Sequence, residues 1–373
     1  MTGVETVEFK SFLEVFADKT GGNPKVLSSE YRDSGKFPII DQGQRAVAGY
    51  SDDESLLAAP REPVIIFGDH TRILKYVDSP FILGADGTKV LVPKIDANVR
   101  YLYHYLRFID IPSAGYSRHF KFLKEVKIPV PPLPEQRRIA AILDKADQLR
   151  AQRREALAHL ESLTQSIFND MFGEPVSNDL KWDLEPFESV APSRLGKMLD
   201  KKTQTGLQAF DYLRNANVQW FNIELHDLLQ MDFSDREQVE FGLLTGDVLI
   251  CEGGEPGRAA IWRGERENCF FQKALHRARP IDSKVTSEYI VHLLWHLSHG
   301  GGLADHVTSA TIAHLTGVKL KRLKIPVPPL ELQQTFTKRI AEIERLKEQH
   351  RTQLADLNAL FTSLQHRAFS GQL

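Results

Sequence analysis

Sulfur is scarce in this chain: 373 residues include two cysteines and four methionines. Cys251 and Cys269 stand apart, without the spacing of a zinc site or a redox pair. A disulfide framework and a cysteine metal centre are therefore excluded, and two small buried hydrophobes are expected. No apolar run approaches the roughly 20 residues that cross a bilayer, and Met1-Thr2-Gly3-Val4-Glu5 is not the start of a signal peptide. The expectation is a cytoplasmic protein without membrane contact. An excess of charge of one sign is also missing. The 47 Lys and Arg against 49 Asp and Glu leave a net charge of −2. That argues against a coat that binds nucleic acid through overall basicity, while leaving room for local basic patches. The length suits two medium domains with connecting helices, each domain large enough to bury a core.

What the chain does contain is a long segment that occurs twice. Lys127-Ile128-Pro129-Val130-Pro131-Pro132-Leu133 returns as Lys324-Ile325-Pro326-Val327-Pro328-Pro329-Leu330, at an offset of 197 residues. The offset holds without a gap through a helical pattern, so that Leu149, Arg154, Leu157, Leu160 and Phe172 become Leu346, Arg351, Leu354, Leu357 and Phe369. A block of mixed sequence precedes each copy, and the two blocks do not visibly resemble one another. The plan is variable, constant, variable, constant: residues 1–126, 127–173, 174–323 and 324–373. A duplicated frame with two divergent inserts suits a protein that reads two different things at a fixed separation.

The blocks read as α+β. In the first, Phe37–Ile40, Pro63–Phe67 and Lys89–Pro93 are apolar runs bounded by Gly, Asp and Pro, hence strands. Val99–Ile109 has helical spacing. In the second, Trp182–Leu184, Gly246–Cys251 and Ala259–Trp262 read as strands and Ser287–Leu297 as a helix in the same relative place, which points to a shared fold. The Lys-Ile-Pro-Val-Pro-Pro-Leu segments must be extended, because proline fixes its own φ and pushes its predecessor out of the helical region. Helices should follow at once, with Pro134 suited to a first turn and Glu135 and Glu331 complementing the helix dipole.

Each long helix carries one apolar stripe: Ile139, Leu143, Leu149, Leu157, Leu160 and Ile167 in the first, Ile340, Leu346, Leu354, Leu357 and Leu364 in the second. Gly173 with Pro175, and Gly371, end them. About 37 residues at 1.5 Å each make roughly 55 Å, too long to lie on one small domain. The simplest solution is an antiparallel two-helix coiled coil that separates two globular domains, a pseudo-two-fold internal repeat. The alternative is that each helix packs on its own domain. Arg153 and His350 interrupt both stripes at the same place and read as register devices.

These residues resemble the specificity (S) subunit of Type I restriction–modification systems. The likeness rests on the duplicated connector followed by Glu135-Gln136-Arg137-Arg138-Ile139 and a long helix. It is strengthened by Gly196–Lys202, Tyr212–Gln219, Gly246–Gly254, Gly257–Trp262, Thr311–Leu315 and Ala368–Leu373 in the second half. In the first half, Phe37–Asp41, Gly49-Tyr50 and Gly115–Lys121 resemble another class of target-recognition domain. Glu331-Leu332-Gln333 departs from Pro134-Glu135-Gln136 without disturbing the helix start. The resemblance covers nearly the whole chain. It implies a non-catalytic recognition subunit with two target-recognition domains, each reading half of a split, asymmetric site in double-stranded DNA. The paired helices would set the spacing and dock two modification (methyltransferase) subunits, which restriction (translocase and nuclease) subunits join. S-adenosylmethionine, ATP and Mg are then expected on those partners, with no cofactor in this chain.

The residues agree with that reading. There is no Asn-Pro-Pro-Tyr-type segment, no Gly-x-x-x-x-Gly-Lys-Ser/Thr loop and no His-Glu-x-x-His, so no catalytic or metal-ligating set is expected. Glu252–Gly257 reads as a tight turn rather than a phosphate loop, since it lacks the lysine and carries two glutamates. Base reading calls for Arg or Lys forks at guanine and Asn or Gln at adenine, beside lysines that neutralise phosphate. The candidates in block one are Gln44, Arg45, Arg72, Tyr116, Arg118, His119 and Lys121. Those in block two are Lys197, Lys201, Lys202, Arg214, Asn217, Gln219, Arg258, Lys273 and Arg277. The competing reading is a coiled-coil scaffold whose end domains bind proteins, without DNA specificity.

Overall fold

A computed structural model describes residues 7–59, 63–85, 87–113, 115, 117–200, 204–306 and 314–373. The chain forms two compact units, residues 1–155 with 351–373, and residues 156–350. Each unit holds one block together with half of each long helix.

In the first unit, a four-stranded antiparallel sheet runs in the order Phe16–Asp18, Thr88–Pro93, Val64–Gly68, Leu74–Val77. A three-stranded sheet places Phe37–Ile40 between Gly49–Ser51 and Ile82–Leu83, the last pairing parallel. The run Val64-Ile65-Ile66-Phe67 is apolar throughout because the strand is covered on both faces. Ile65 and Phe67 join one core with Leu91, Leu102 and Phe120, while Val64 and Ile66 join another with Phe81 and Val90.

The second unit repeats this plan with different residues. Its four-stranded sheet runs Ser193–Leu195, Leu275–Ala278, Val248–Cys251, Ala259–Ile261. Its three-stranded sheet places Ala209–Leu213 between Leu229–Asp232 and Phe270–Phe271, again with one parallel pair. Val248 and Ile250 face one core, Leu249 and Cys251 the other. The divergent blocks therefore share a fold.

The proline-rich connectors open as strands in both units. Lys127–Val130 pairs with Glu8–Ser11, and Lys324–Pro326 pairs with Leu184–Pro186, a strand that begins two residues later than the expected Trp182–Leu184. Each connector is held by the short helix of its unit: the Tyr101 hydroxyl donates to the Pro129 carbonyl, and that of Tyr289 to Pro326. The long helices follow immediately, Leu133–Phe172 and Leu330–Phe369, and end at Gly173 and just before Gly371, both at positive φ.

Within each unit the two long helices are antiparallel. In the first, Arg138 donates to Leu373 and Arg150 to Asn358. In the second, Lys347 reaches Glu161 and Arg339 reaches the Met171 sulfur. The stripes do not cover one another alone. Ile139 and Leu143 sink into the first unit's core and Ile340 into the second's, where sheet and helix layers both cover them. Leu149, Leu157, Leu160, Ile167, Leu346, Leu354, Leu357 and Leu364 are half-buried. A helix covered from one side by one neighbour leaves its flanks in water, so both sequence expectations, helix pairing and packing on a domain, describe part of each helix. Arg153 and His350 are half-buried, and the polar links between helices are made one turn away, by Arg150 and Lys347.

Candidate nucleic-acid interface

Most candidate side chains sit on loops and short helical turns near strand ends, and buried polar groups hold several of these segments. Lys121 is in the helix Phe120–Leu123, Gln219 in the strand Val218–Gln219 and Arg277 in the strand Leu275–Ala278. In the first unit, Asp69 lies at the end of Val64–Gly68 and is buried. Its carbonyl accepts the His119 amide at 2.8 Å and its carboxylate accepts the Phe120 amide at 2.8 Å. Gln42 adds a second tie, its carbonyl accepting the Thr71 hydroxyl and its Oε1 the His70 amide. Arg72 follows with φ of 61° and donates to the Ile111 carbonyl at 2.9 Å. Arg118 and Lys121 are exposed on the segment that Asp69 anchors, and Gln44 and Arg45 are exposed after Phe37–Ile40.

His119 lies between Arg118 and Phe120 but does not share Arg118's exposure. It is 1 % exposed, with Nδ1 3.0 Å from the Asp69 carbonyl, so its ring cannot reach a base edge. The expectation of a base contact there is corrected to an anchor for the loop. Tyr116 lies outside the described residues, as do Lys201, Lys202 and the Thr311-Ile312-Ala313 segment.

In the second unit several candidates prove to be braces. Asn217 is 2 % exposed; its carboxamide oxygen accepts the Arg214 amide and its nitrogen donates to the Glu224 carbonyl. Arg214 is held by Asp227 at 2.6 Å, and Arg258 by Glu255 and the Asn215 carbonyl. Lys197 is tied to Glu237 and the Asp232 carbonyl, both within 2.7 Å. Arg277 donates to the carbonyls of Glu240 and Gly242. Each of these cations gives some of its donors to carbonyls or carboxylates of the same unit, while Nε of Arg214, Arg258 and Arg277 is buried without a partner. The base contact expected of Asn217 is corrected to loop support, because its side chain is buried, while Lys197, Arg214, Arg258 and Arg277 make supporting contacts within the unit. Gln219 is half-buried with its amide on the Ala216 carbonyl, and Lys273 is exposed.

Sequence reasoning missed the organising aspartates. Asp232 accepts from the Thr205, Gly206 and Gln208 amides and the Thr205 hydroxyl, fixing a turn in which Gly206 has φ of 76°. The Thr205 amide, above all, holds the Asp232 carboxyl below the usual carboxylate range. Asp247, buried, accepts both Nε and Nη2 of Arg279. The Asp-containing turns were legible as breakers, but nothing in their spacing says which amide each carboxylate will meet.

Glu252–Gly257 is the tight turn expected, with Gly254 and Gly257 at positive φ and the Arg258 amide returning to the Glu255 carbonyl. A side chain at Gly257 would meet Leu303. Cys251 and Cys269 are free and buried, and burial pushes their thiols up to about 11 and about 12. Neither is a thiolate at neutral pH. Among the described residues no helix is long and apolar enough to cross a membrane. The arrangement is two loop platforms whose outward groups are Arg, Lys and Gln, supported from beneath by buried carboxylates and carboxamides.

Comparison with known proteins agrees with that arrangement. The profile of the Type I restriction modification DNA specificity domain matches twice, over residues 1–159 and 188–359. The chain is 23% identical over 365 residues to the Type I restriction enzyme EcoR124I/EcoR124II specificity subunit of Escherichia coli, covering 92% of this chain and 87% of that one. It is 25% identical over 365 residues to the type I specificity subunit S.HindORF215P of Haemophilus influenzae, covering 91% and 88%. Its fold is that of the Type-I restriction-modification S subunit from M. genitalium, with a TM-score of 0.60, 13% identity and coverage of 99% and 98%. A structure from work on assembly and conformational transition of the type I R-M system matches with a TM-score of 0.57, 18% identity and coverage of 98% of each chain. With the profile spanning most of the chain in two copies, this protein belongs to the Type I restriction–modification DNA specificity family: it is a specificity subunit with DNA-sequence-recognition domains.

Proposed function

We propose that the chain reads a bipartite, asymmetric site in double-stranded DNA, one half through each unit, and has no catalytic activity of its own. Family membership implies DNA and the other subunits of such a system as partners. The finer reading is that two modification (methyltransferase) subunits dock on it, with restriction (translocase and nuclease) subunits joining through them, in the cytoplasm. S-adenosylmethionine, ATP and Mg would be held by those partners. One observation carries the reading: two units of one topology present unlike outward residues, Gln44, Arg45, Arg118 and Lys121 in the first, Lys273 with Gln219 in the second. Unlike side chains on like platforms are what an asymmetric site requires, since phosphate contacts position and base contacts specify. Of the candidate readers, the exposed Gln44, Arg45, Arg72, Arg118 and Lys121 of the first unit and Lys273 of the second are the ones we assign to DNA.

The test is a map of methylated adenines in a host genome, with and without this chain beside an active modification subunit. A split motif that depends on the chain supports the proposal and names both half-sites. Unchanged methylation with soluble protein would favour the scaffold that binds only proteins. Exchanging residues 1–126 for another reader should change one half of the motif; a change in both halves would refute the division of labour. Adding a few residues to both long helices should lengthen the unread spacer, and an unaltered site would sink the spacing role.

A further inference from the structure

The second unit contains a cavity of about 300 Å³ under its short helix Ser287–His299. Phe221, Arg263, Glu288 and His292 line it together with Ala341 and Glu344 of the second long helix. His292 is 4 % exposed and stacks on Phe221 at 4.5 Å between ring centroids. Its Nδ1 is buried without a hydrogen-bond partner. Leaving a buried polar atom unmet is costly, so a ligand group that reaches the ring gains by it.

The first unit supplies an internal control. The repeat pairs Tyr101 with Tyr289, each bonded to the same proline of its connector, and therefore His104 with His292. Both histidines are buried and both leave Nδ1 unmet, so the units differ in what else surrounds the ring. In the first unit His104 Nε2 meets Asp144 of the long helix at 2.8 Å. The 197-residue offset of the long helices puts Ala341 where Asp144 stands, and Ala341 lines the cavity. The carboxylate that meets the first histidine is missing from beside the second.

Two cations are missing as well. Beside His104, Arg100 lies over the Tyr76 ring at 3.8 Å and pairs with Asp144 and Asp78 at 3.5 Å. Arg107 pairs with Asp147 at 2.8 Å. So two guanidinium groups of the chain itself lie against the aromatic and acidic wall there. Their counterparts in the second unit are Glu288 and Trp295, and neither is a cation. The acidic wall nevertheless persists: Glu344 stands at the position of Asp147 and Glu288 adds a second carboxylate. Arg263 approaches Glu288 at 3.7 Å from a largely exposed position at the rim.

We infer that this cavity binds a guanidinium group supplied from outside the unit, held between the Phe221 ring and the carboxylates of Glu344 and Glu288, with His292 as an additional polar contact. The chemistry is that of the first unit's own Arg100 and Arg107: a planar cation stacks on an aromatic face while its fork meets carboxylates. Lys347 already meets Glu344 at 2.8 Å without lining the cavity. Burial keeps the His292 ring neutral, so it does not repel a cation. The guanidinium could come from an arginine side chain of a partner subunit or from a small free molecule.

The experiment titrates the full chain with N-acetyl-arginine amide and follows the His292 ring signals by NMR. N-acetyl-citrulline amide, the neutral isostere, and N-acetyl-lysine amide serve as controls. Saturable shifts with the arginine probe, at least about tenfold weaker with citrulline, are expected for one charge-assisted contact pair. Glu344→Gln should weaken binding by about tenfold on the same reasoning. Glu288→Arg restores the first unit's Arg100, supplies the cation from the chain itself and should abolish the response. Shifts that fail to saturate, that are equal for citrulline, or that survive in both variants would overturn the proposal. Repeating the titration in the complex with modification subunits distinguishes the sources: exclusion of the probe identifies a partner's arginine, and retained binding a free ligand. The isolated-chain result does not depend on DNA reading, so either proposal can fail without the other.

Discussion

Gln136 reaches back from the first turn of its long helix to the amide that starts the neighbouring short helix, its Oε1 accepting from Asn98 N at 2.8 Å. Its Nε2 donates to the Pro131 carbonyl at 2.8 Å. The second unit repeats the bracket: Gln333 accepts from the Thr286 amide at 3.0 Å and donates to the Pro328 carbonyl at 2.8 Å. Both side chains are buried, 1 % and 0 % exposed. One carboxamide in each unit thus joins connector, short helix and long helix.

Replacing either glutamine with leucine should be expensive. Gln136→Leu strands an amide and a carbonyl and should cost about 3 kcal/mol, and Gln333→Leu strands the Lys284 carbonyl as well and should cost at least as much. Urea denaturation of Gln136→Leu and Gln333→Leu checks this. A loss below about 1 kcal/mol would mean that water replaces the bracket.

Lys347 offers a test of the helix pair in the second unit. Its ammonium is nearly fully buried between Glu344 at 2.8 Å and Glu161 at 3.5 Å. Lys347→Met should be close to neutral, because removing the cation also removes its desolvation. Lys347→Glu should cost about 4 kcal/mol, since it buries an anion beside two others. Comparable melting curves for the two variants would show that the lysine is solvated in solution.

Among the DNA candidates, exposure separates readers from braces. Arg118→Ala or Lys121→Ala should weaken DNA binding by the assembled complex and reduce the salt slope by about 1 for each phosphate that is no longer neutralised. Stability should be unchanged. His119→Ala and Asn217→Ala should instead lower the melting temperature, because their rings and amides hold loops. Binding titrations at three salt concentrations beside thermal melts make the comparison, and an unstable Arg118→Ala would contradict it.

Acid should destabilise the second unit through His292. Burial first, then the nearby charges of His296 and Lys347, hold its pKa down to about 3 from 6.5. The unfolded chain therefore takes up a proton below pH 6.5 that the folded chain refuses until about pH 3. Stability is present above pH 6.5 and is lost as pH falls through that window. Relative to His292→Leu, the wild type should lose about 2 kcal/mol between pH 7 and pH 5. Parallel pH dependences for the two proteins, measured by denaturant titration, would refute the assignment.

The internal repeat, the extended connectors, the two long helices and their stops were all determined by sequence alone, because proline stereochemistry, helical spacing and terminal glycines act locally. The apolar runs in Pro63–Phe67 and Gly246–Cys251 likewise read as strands, and folding decided that both faces are covered. Tertiary structure alone decided which polar residues look outward. Arg118 and His119 are neighbours in one basic run, yet one faces water and the other is sealed against Asp69. Lys197, Arg214 and Arg277 read as a basic cluster, and only the fold shows that each also bonds a carbonyl or carboxylate brought from elsewhere in the chain. It also decided that His104 meets Asp144 while His292 meets a cavity. A side chain's identity sets what it can bond, but its partner is brought by folding from scores of residues away, and no local pattern encodes that meeting.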